Sequence, residues 1–249
     1  MELSVITLTW NSETYISSML SSLIKGLEEI NCDFEIIIVD NNSKDGTVKI
    51  LNKYSKKYNN IKTYILSKNF GTTKPRNLAI KKAKYENILI VDSDTDFSDT
   101  DVLSLLNSFS KISSKKIGLI QPQLVHTDGT IQASALKFPT LGNKLARFLG
   151  KVNTPYDLKE IQTVDYCISA AWLLKKEIFN TVGLLDENIF YAPEDAEFCK
   201  RLWTKGLEVW YFPEVKITHH YQRMTSKKRF NKMWFLHLKG LIYFWLKKY

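Results

Sequence analysis

Two adjacent carboxylates, Glu194 and Asp195, stand behind Pro193 in the stretch Phe190-Tyr191-Ala192-Pro193-Glu194-Asp195-Ala196-Glu197-Phe198-Cys199-Lys200-Arg201-Leu202. The stretch reads as the start of a helix whose apolar positions are Phe198 and Leu202. Two interpretations are open. Proline tolerates the first turn of a helix and acidic side chains there complement the macrodipole, so the pair could be an ordinary acidic helix start. The pair could equally stand at the mouth of a site, where a carboxylate takes a proton from an incoming hydroxyl. Three more polar clusters, Asp40-Asn41-Asn42-Ser43, Asn69-Phe70-Gly71 and Asp92-Ser93-Asp94-Thr95-Asp96, each follow an apolar run.

The elements that must position these clusters alternate. Residues 5–8 read as a buried strand and 15–30 as a helix, apolar at Ile16, Met19, Leu20, Leu23, Ile24 and Leu27. The β-branched run 34–39 suits a strand covered on both faces. A helix through Val48, Ile50, Leu51 and Tyr54, a strand at 61–66, a helix carrying Arg76 and a strand at 87–91 complete the pattern. Strand and helix in alternation predict a mostly parallel α/β sheet with ligands at the carboxyl ends of its strands. Asp40, Asn69, Asp92 and Asp94 would converge there. From residue 117 the pattern changes to short strands at 118–121, 124–126 and 131–135, with a hairpin turn at Asp128-Gly129. Another strand is expected at 166–174 and a short helix at 177–182, ending at Gly183.

The chain has 249 residues and a net charge of +9, which is concentrated at one end. From Val215 onward there are nine lysines and arginines and no acid, while 26 basic and 26 acidic residues balance in the rest. Three cysteines without paired spacing argue against a disulfide framework or a structural zinc site, and for a reducing compartment. No signal peptide is expected. There is no G-x-G-x-x-G and no G-x-x-x-x-G-K-[ST], which disfavours dinucleotide and P-loop enzymes.

In this order, Ile6-Thr7-Leu8-Thr9-Trp10-Asn11, Val39-Asp40-Asn41-Asn42-Ser43, Asn69-x-Gly71 with Arg76-Asn77, Asp92-Ser93-Asp94 and Glu194-Asp195 resemble the family 2 glycosyltransferases of the GT-A fold. Pro122-Gln123-Leu124, Asp128-Gly129-Thr130-Ile131-Gln132 and Phe138-Pro139-Thr140 are similar to its rhamnosyltransferase-type branch, as is Val182-Gly183-Leu184-Leu185-Asp186-Glu187 leading into Tyr191. The resemblance covers roughly residues 3 to 222. It implies a Rossmann-like sheet flanked by helices, with a nucleotide-sugar half at 1–116 and a smaller acceptor half at 117–222.

The resemblance also implies roles. Asp94 would be a ligand to Mn²⁺ or Mg²⁺, the hard cation that a leaving diphosphate needs. Asp92 would contact the ribose or the metal shell, with a solvated turn before a helix capped by Ser98 or Asp99 as the plainer alternative. His219, 24 positions after Asp195, would complete the metal shell, although a histidine pair such as His219-His220 is often structural. Asp40 would accept the imide N–H of uracil or thymine, favouring UDP or dTDP, and its plainer alternative is an Asx-turn. Arg76 would reach the base or the diphosphate, or would be a solvated helix charge. Trp10 would pack near the base or fill core. Asp195 would be the general base of a single inverting displacement, with Glu194 orienting the acceptor or the loop. Thr9, Asn11, Asn42, Asn69 and Trp172 complete the expected substrate contacts, core packing being the plainer explanation for Trp172. The chain departs from the family pattern at Ser169-Ala170-Ala171, Pro193 and Glu197, which bears on the acceptor.

The remainder, 223–249, is basic and aromatic. Its expected helix places Lys232, Lys239, Tyr243 and Lys247 on one stripe and Met233, Trp234, Leu238, Leu241, Phe244 and Trp245 on the other. It is too short and interrupted to span a bilayer, and it suits an anionic membrane surface or docking onto protein, its own domain or a second subunit. Nucleic acid is not an expected partner, for want of a motif. The expectation is therefore a metal-dependent inverting transferase, peripherally associated with the inner face of the cell membrane. It would move a sugar, L-rhamnose from dTDP-rhamnose or one carried by UDP, to a growing, lipid-linked bacterial surface polysaccharide. The alternatives are a non-catalytic binding or scaffold protein on a degenerate fold, and a nucleotidyltransferase.

Overall fold

In the computed structural model, the described residues are 1–140, 142, 156–220 and 232–249, the side chains of 232 and 233 excepted. The expected boundary at 222/223 and the basic residues 223–229 lie outside them. The strands are β1 (Glu2–Thr9), β2 (Asp33–Asp40), β3 (Ile61–Ile65), β4 (Asn87–Asp92), β5 (Thr95–Asp96), β6 (Ile117–Val125), β7 (Ala135–Leu136), β8 (Gln162–Thr163), β9 (Tyr166–Cys167), β10 (Ala171–Lys175) and β11 (Glu208–His219). The helices are α1 (Ile16–Glu29), α2 (Thr47–Lys57), α3 (Thr73–Lys82), α4 (Val102–Lys111), α5 (Ile178–Val182), α6 (Glu194–Thr204) and α7 (Lys232–Leu246).

One sheet runs through both halves in the order β3-β2-β1-β4-β10-β6-β11-β5, with β8 on β11. Its first four strands are parallel. β10 then enters antiparallel between β4 and β6, so the sheet is mixed beyond β4. Side chains alternate across it as the pleat requires. Ile36 and Ile38 join the core under α1, while Ile37 and Val39 join the core on the opposite face. Six buried apolar side chains hold α1 to the first of these, each contributing about 1.5–3 kcal/mol.

The second half departs from the expected pattern. Residues 118–121 and 124–125 fall in one strand, β6, with His126 just past its end, because β11 pairs along its length with a register shift around Pro213. The turn at Asp128-Gly129 forms, but its second arm makes one bridge, Val125 to Ile131; Ala135 and Leu136 pair with β9 instead. The expected strand at 166–174 breaks at Ser169-Ala170, where the Ala170 carbonyl accepts the Asp92 amide at 3.0 Å. α4 is capped by Asp101, whose side chain accepts from the Ser104 amide, and not by Ser98 or Asp99.

Candidate functional site

A cleft of about 300 Å³ opens at the carboxyl ends of β1, β2 and β4. Its metal-binding side is built by strand pairing. Asp92 ends β4, Asp94 sits in the turn to β5, and β5 pairs with β11 so that His219 faces Thr95. His219 Nε2 thereby comes 3.3 Å from Asp94 Oδ1. One ligand atom from each of Asp92, Asp94 and His219 lies within 4.8 Å of the others. His219 Nδ1 is 2.8 Å from Gln132 Oε1, so the tautomer protonated on Nδ1 donates to that oxygen and turns Nε2 to the cluster. Burial pulls the His219 pKa down, but the Asp94 contact and nearby Asp92 carry it above its ordinary value. Burial and the Asp94 charge push Asp92 up against the pull of Arg76. Two carboxylates and an oriented imidazole with this appetite for positive charge fit a divalent cation with oxygen preference.

Arg76 joins this side to the second acidic pair. It is 3% exposed on α3, inside the wall of the cleft. Nη2 donates to Asp92 Oδ1 at 2.7 Å, and Nη1 donates to Ser169 Oγ at 2.8 Å and Glu194 Oε1 at 3.1 Å. It is not a solvated helix charge. Glu194, 6% exposed, is held above the usual carboxylate range by burial and by neighbouring Asp195, with Arg76 opposing.

Glu194 and Asp195 open α6, and both line the cleft. The loop before them is clamped by the start of α3. Thr72 N and Thr73 Oγ1 donate to the carbonyls of Phe190 and Ile189 at 2.7 and 2.9 Å. Asn77 exchanges two hydrogen bonds with the Leu185 backbone. Gly71 has φ 82°, and a Cβ there would lie 2.0 Å from the Phe190 carbonyl oxygen. Only glycine meets both demands.

Of the expected site residues, Asn11, Asn69, Arg76, Asp92, Asp94, Glu194, Asp195 and His219 line this one cleft. Four do not. Asp40 is fully buried, its carboxylate taken by Thr9 Oγ1 and by the Ser43 amide and hydroxyl. Thr9 is buried against it. The neighbouring Asn41 lines the cleft in place of Asp40. Asn42 sits in the turn with φ 64° and accepts from Lys44. Trp172 is 1% exposed in the core, stacked on Phe198 at 5.6 Å, because central strand β10 is covered on both faces. Trp10 does border the cleft and is 38% exposed. Gln132, Ser169, Ser12 and Tyr15 were not anticipated. The family pattern touched two of them, Gln132 within the Asp128–Gln132 motif and Ser169 at its departure, but assigned neither a role.

The profile of glycosyl transferase family 2 matches residues 4–183. Among similar proteins, the poly(ribitol-phosphate) beta-N-acetylglucosaminyltransferase TarS of Staphylococcus aureus is 36% identical over 133 residues, covering 53% of this chain and 23% of TarS. The chain thus spans about a quarter of that relative. TuaG of Bacillus subtilis, named for teichuronic acid biosynthesis, is 36% identical over 87% of this chain and 89% of its own. The rhamnosyltransferase WbbL of Escherichia coli is 25% identical over 98% and 92%. The crystal structure of TarS residues 1–349 in complex with UDP-GlcNAc superposes with a TM-score of 0.58 at 23% identity, covering 92% of this chain and 62% of that one. The shared fold is GT-A.

Proposed function

This chain belongs to glycosyl transferase family 2, and we propose that it transfers a sugar from a dTDP- or UDP-linked donor to a growing bacterial surface glycan with inversion at the anomeric carbon. The observation that carries the reading is a single cleft in which Asp92, Asp94 and His219 are linked through Arg76 to the Glu194-Asp195 pair. Residues 1–116 hold the donor and 117–222 the acceptor.

Asp94, His219 and Asp92 hold Mn²⁺ or Mg²⁺, which supplies charge stabilisation for the leaving diphosphate. Asn11 and Asn69 line the nucleotide end of the cleft, where their amide N–H groups offer donors to a pyrimidine, while buried Asn41 braces this end by donating to Asn69 Oδ1 and the Gly71 carbonyl. Asp195 accepts the proton of the acceptor hydroxyl as its oxygen attacks the sugar. Glu194, tied to Arg76 and Ser169, orients the start of α6. The names of TarS and TuaG carry poly(ribitol-phosphate) and teichuronic acid, both polymers, and the acceptor proposed here is a surface polymer, lipid-linked, at the inner face of the membrane.

The test is nucleoside-diphosphate release with Mn²⁺ or Mg²⁺ across UDP-GlcNAc, UDP-glucose, dTDP-rhamnose and GDP-mannose, with EDTA controls. Metal-dependent release from a UDP or dTDP donor is the expected result. Pyrophosphate release would identify a nucleotidyltransferase. No binding of any of these nucleotides would identify a scaffold protein.

A further inference from the structure

The C-terminal helix α7 is apolar on two opposite faces. Its inner face is docked: Leu241 and Phe244 are 6% and 7% exposed, and Gly240 sits where a Cβ would lie 2.1 Å from the Ala192 carbonyl oxygen. Tyr243 and Lys247, expected on an outward basic stripe, instead turn inward to Asp186, and Lys247 also pairs with buried Glu197 of α6. The outer face carries Phe235, Leu238, Ile242 and Leu246, spaced three and four residues apart and 56%, 36%, 46% and 78% exposed. A helix resting on a globular domain normally turns a polar face to water. This one does not.

Charge says what covers it. Exposed Lys239 borders the stripe and exposed Lys248 follows it. From Val215 to the end the chain has nine basic residues and no acid. A second copy seated face to face on this stripe would bring the lysines of both copies, Lys239 and Lys248, to one seam with no acid on either helix to pair them. An anionic lipid surface accepts both the apolar stripe and Lys239 and Lys248 beside it. Among the described residues no helix is long and apolar enough to cross a membrane, so the contact is a surface one.

We propose that the outer face of α7 is an anionic-lipid docking surface. It sets the acceptor side of the cleft at the membrane, because the inner face of the same helix rests on the Ala192-Pro193 loop that leads into Asp195. The bilayer is then one helix diameter, about 10 Å, from that loop. The inference deepens the lipid-linked acceptor reading given above and rests on it only for the meaning of the placement.

The experiment is co-sedimentation of the full chain with phosphatidylcholine vesicles, with and without phosphatidylglycerol. Wild type and a Phe235→Ser/Ile242→Ser double variant are compared, and nucleoside-diphosphate release is measured on the same samples. Both positions are exposed, so the variant keeps its fold, checked by its melting temperature. The expected result is binding to anionic vesicles only, weakened by about tenfold or more in the variant. Equal binding of the two proteins, or no binding by wild type, overturns the proposal. So does a dimer in analytical ultracentrifugation that the variant abolishes, which would make the stripe a self-interface. Turnover without vesicle binding sinks this inference alone; vesicle binding without turnover sinks the catalytic reading alone.

Discussion

The two acidic sets that face each other across the cleft are held in place by different means. Asp92 and Asp94 leave the end of a central strand, and His219 reaches them because β11 pairs with β5. Their positions are consequences of the sheet. Glu194 and Asp195 begin a helix whose approach loop belongs to no sheet and is held by α3 on one side and α7 on the other. The metal side is therefore fixed by backbone pairing and the base side by side-chain and carbonyl contacts made at a distance. Damage to the first should appear in ligand affinity, and damage to the second in turnover.

The largest expected separation comes from Asp195→Asn, which keeps the size of the side chain and removes its basicity. Transfer should fall by about 10²–10⁴-fold with nucleotide affinity unchanged, as read by steady-state turnover beside calorimetry. Arg76 spans both sides, so Arg76→Met should not respect the division. Leaving buried Glu194 and half-buried Asp92 without their cation should cost about 3–5 kcal/mol in urea unfolding, most of it at Glu194. A cost under about 1 kcal/mol, the value of an exposed pair, would show that the two sides do not depend on this link.

Gln132→Ala sharpens the comparison from the metal side. It frees the His219 ring and should weaken Mn²⁺ binding by about 10–100-fold, without altering turnover at saturating metal. The smallest effect concerns the support under the base helix. Burial alone would raise Asp186, yet hydrogen bonds from Lys247, Asn188 and Tyr243 bring it down to about 2. A carboxylate depressed in the folded state stabilises it above the unfolded pKa of about 3.9. That stabilisation is lost as pH falls through about 2. Between these values Asp186→Asn should melt with a shallower acid dependence than wild type, and parallel curves would remove Asp186 from the support.

The same contrast governs what the sequence discloses. The parallel half is legible because β-branched runs such as 34–39 and the periodic helix α1 are local signals. Asp92-Ser93-Asp94 and Glu194-Asp195 are legible because they sit at element ends. Asp40 is less legible: its place at the end of β2 does not show that Thr9 and Ser43 take its carboxylate. Trp172 misleads because only the sheet order shows β10 to be an interior strand. Gln132 is 87 positions from His219, and no local pattern joins them. In α7 the periodicity is read correctly as helical, but with apolar residues on both faces it cannot say which one docks.

The central claim is that one cleft has a metal side and a base side that can be separated. Its most direct test is calorimetric binding of UDP and dTDP with Mn²⁺ and with EDTA, to wild type, Asp94→Ala and Asp195→Asn. Binding of one of them that needs Mn²⁺, is lost in Asp94→Ala and is intact in Asp195→Asn is the predicted result. Binding indifferent to Mn²⁺ and to Asp94, or lost equally in both variants, would contradict it.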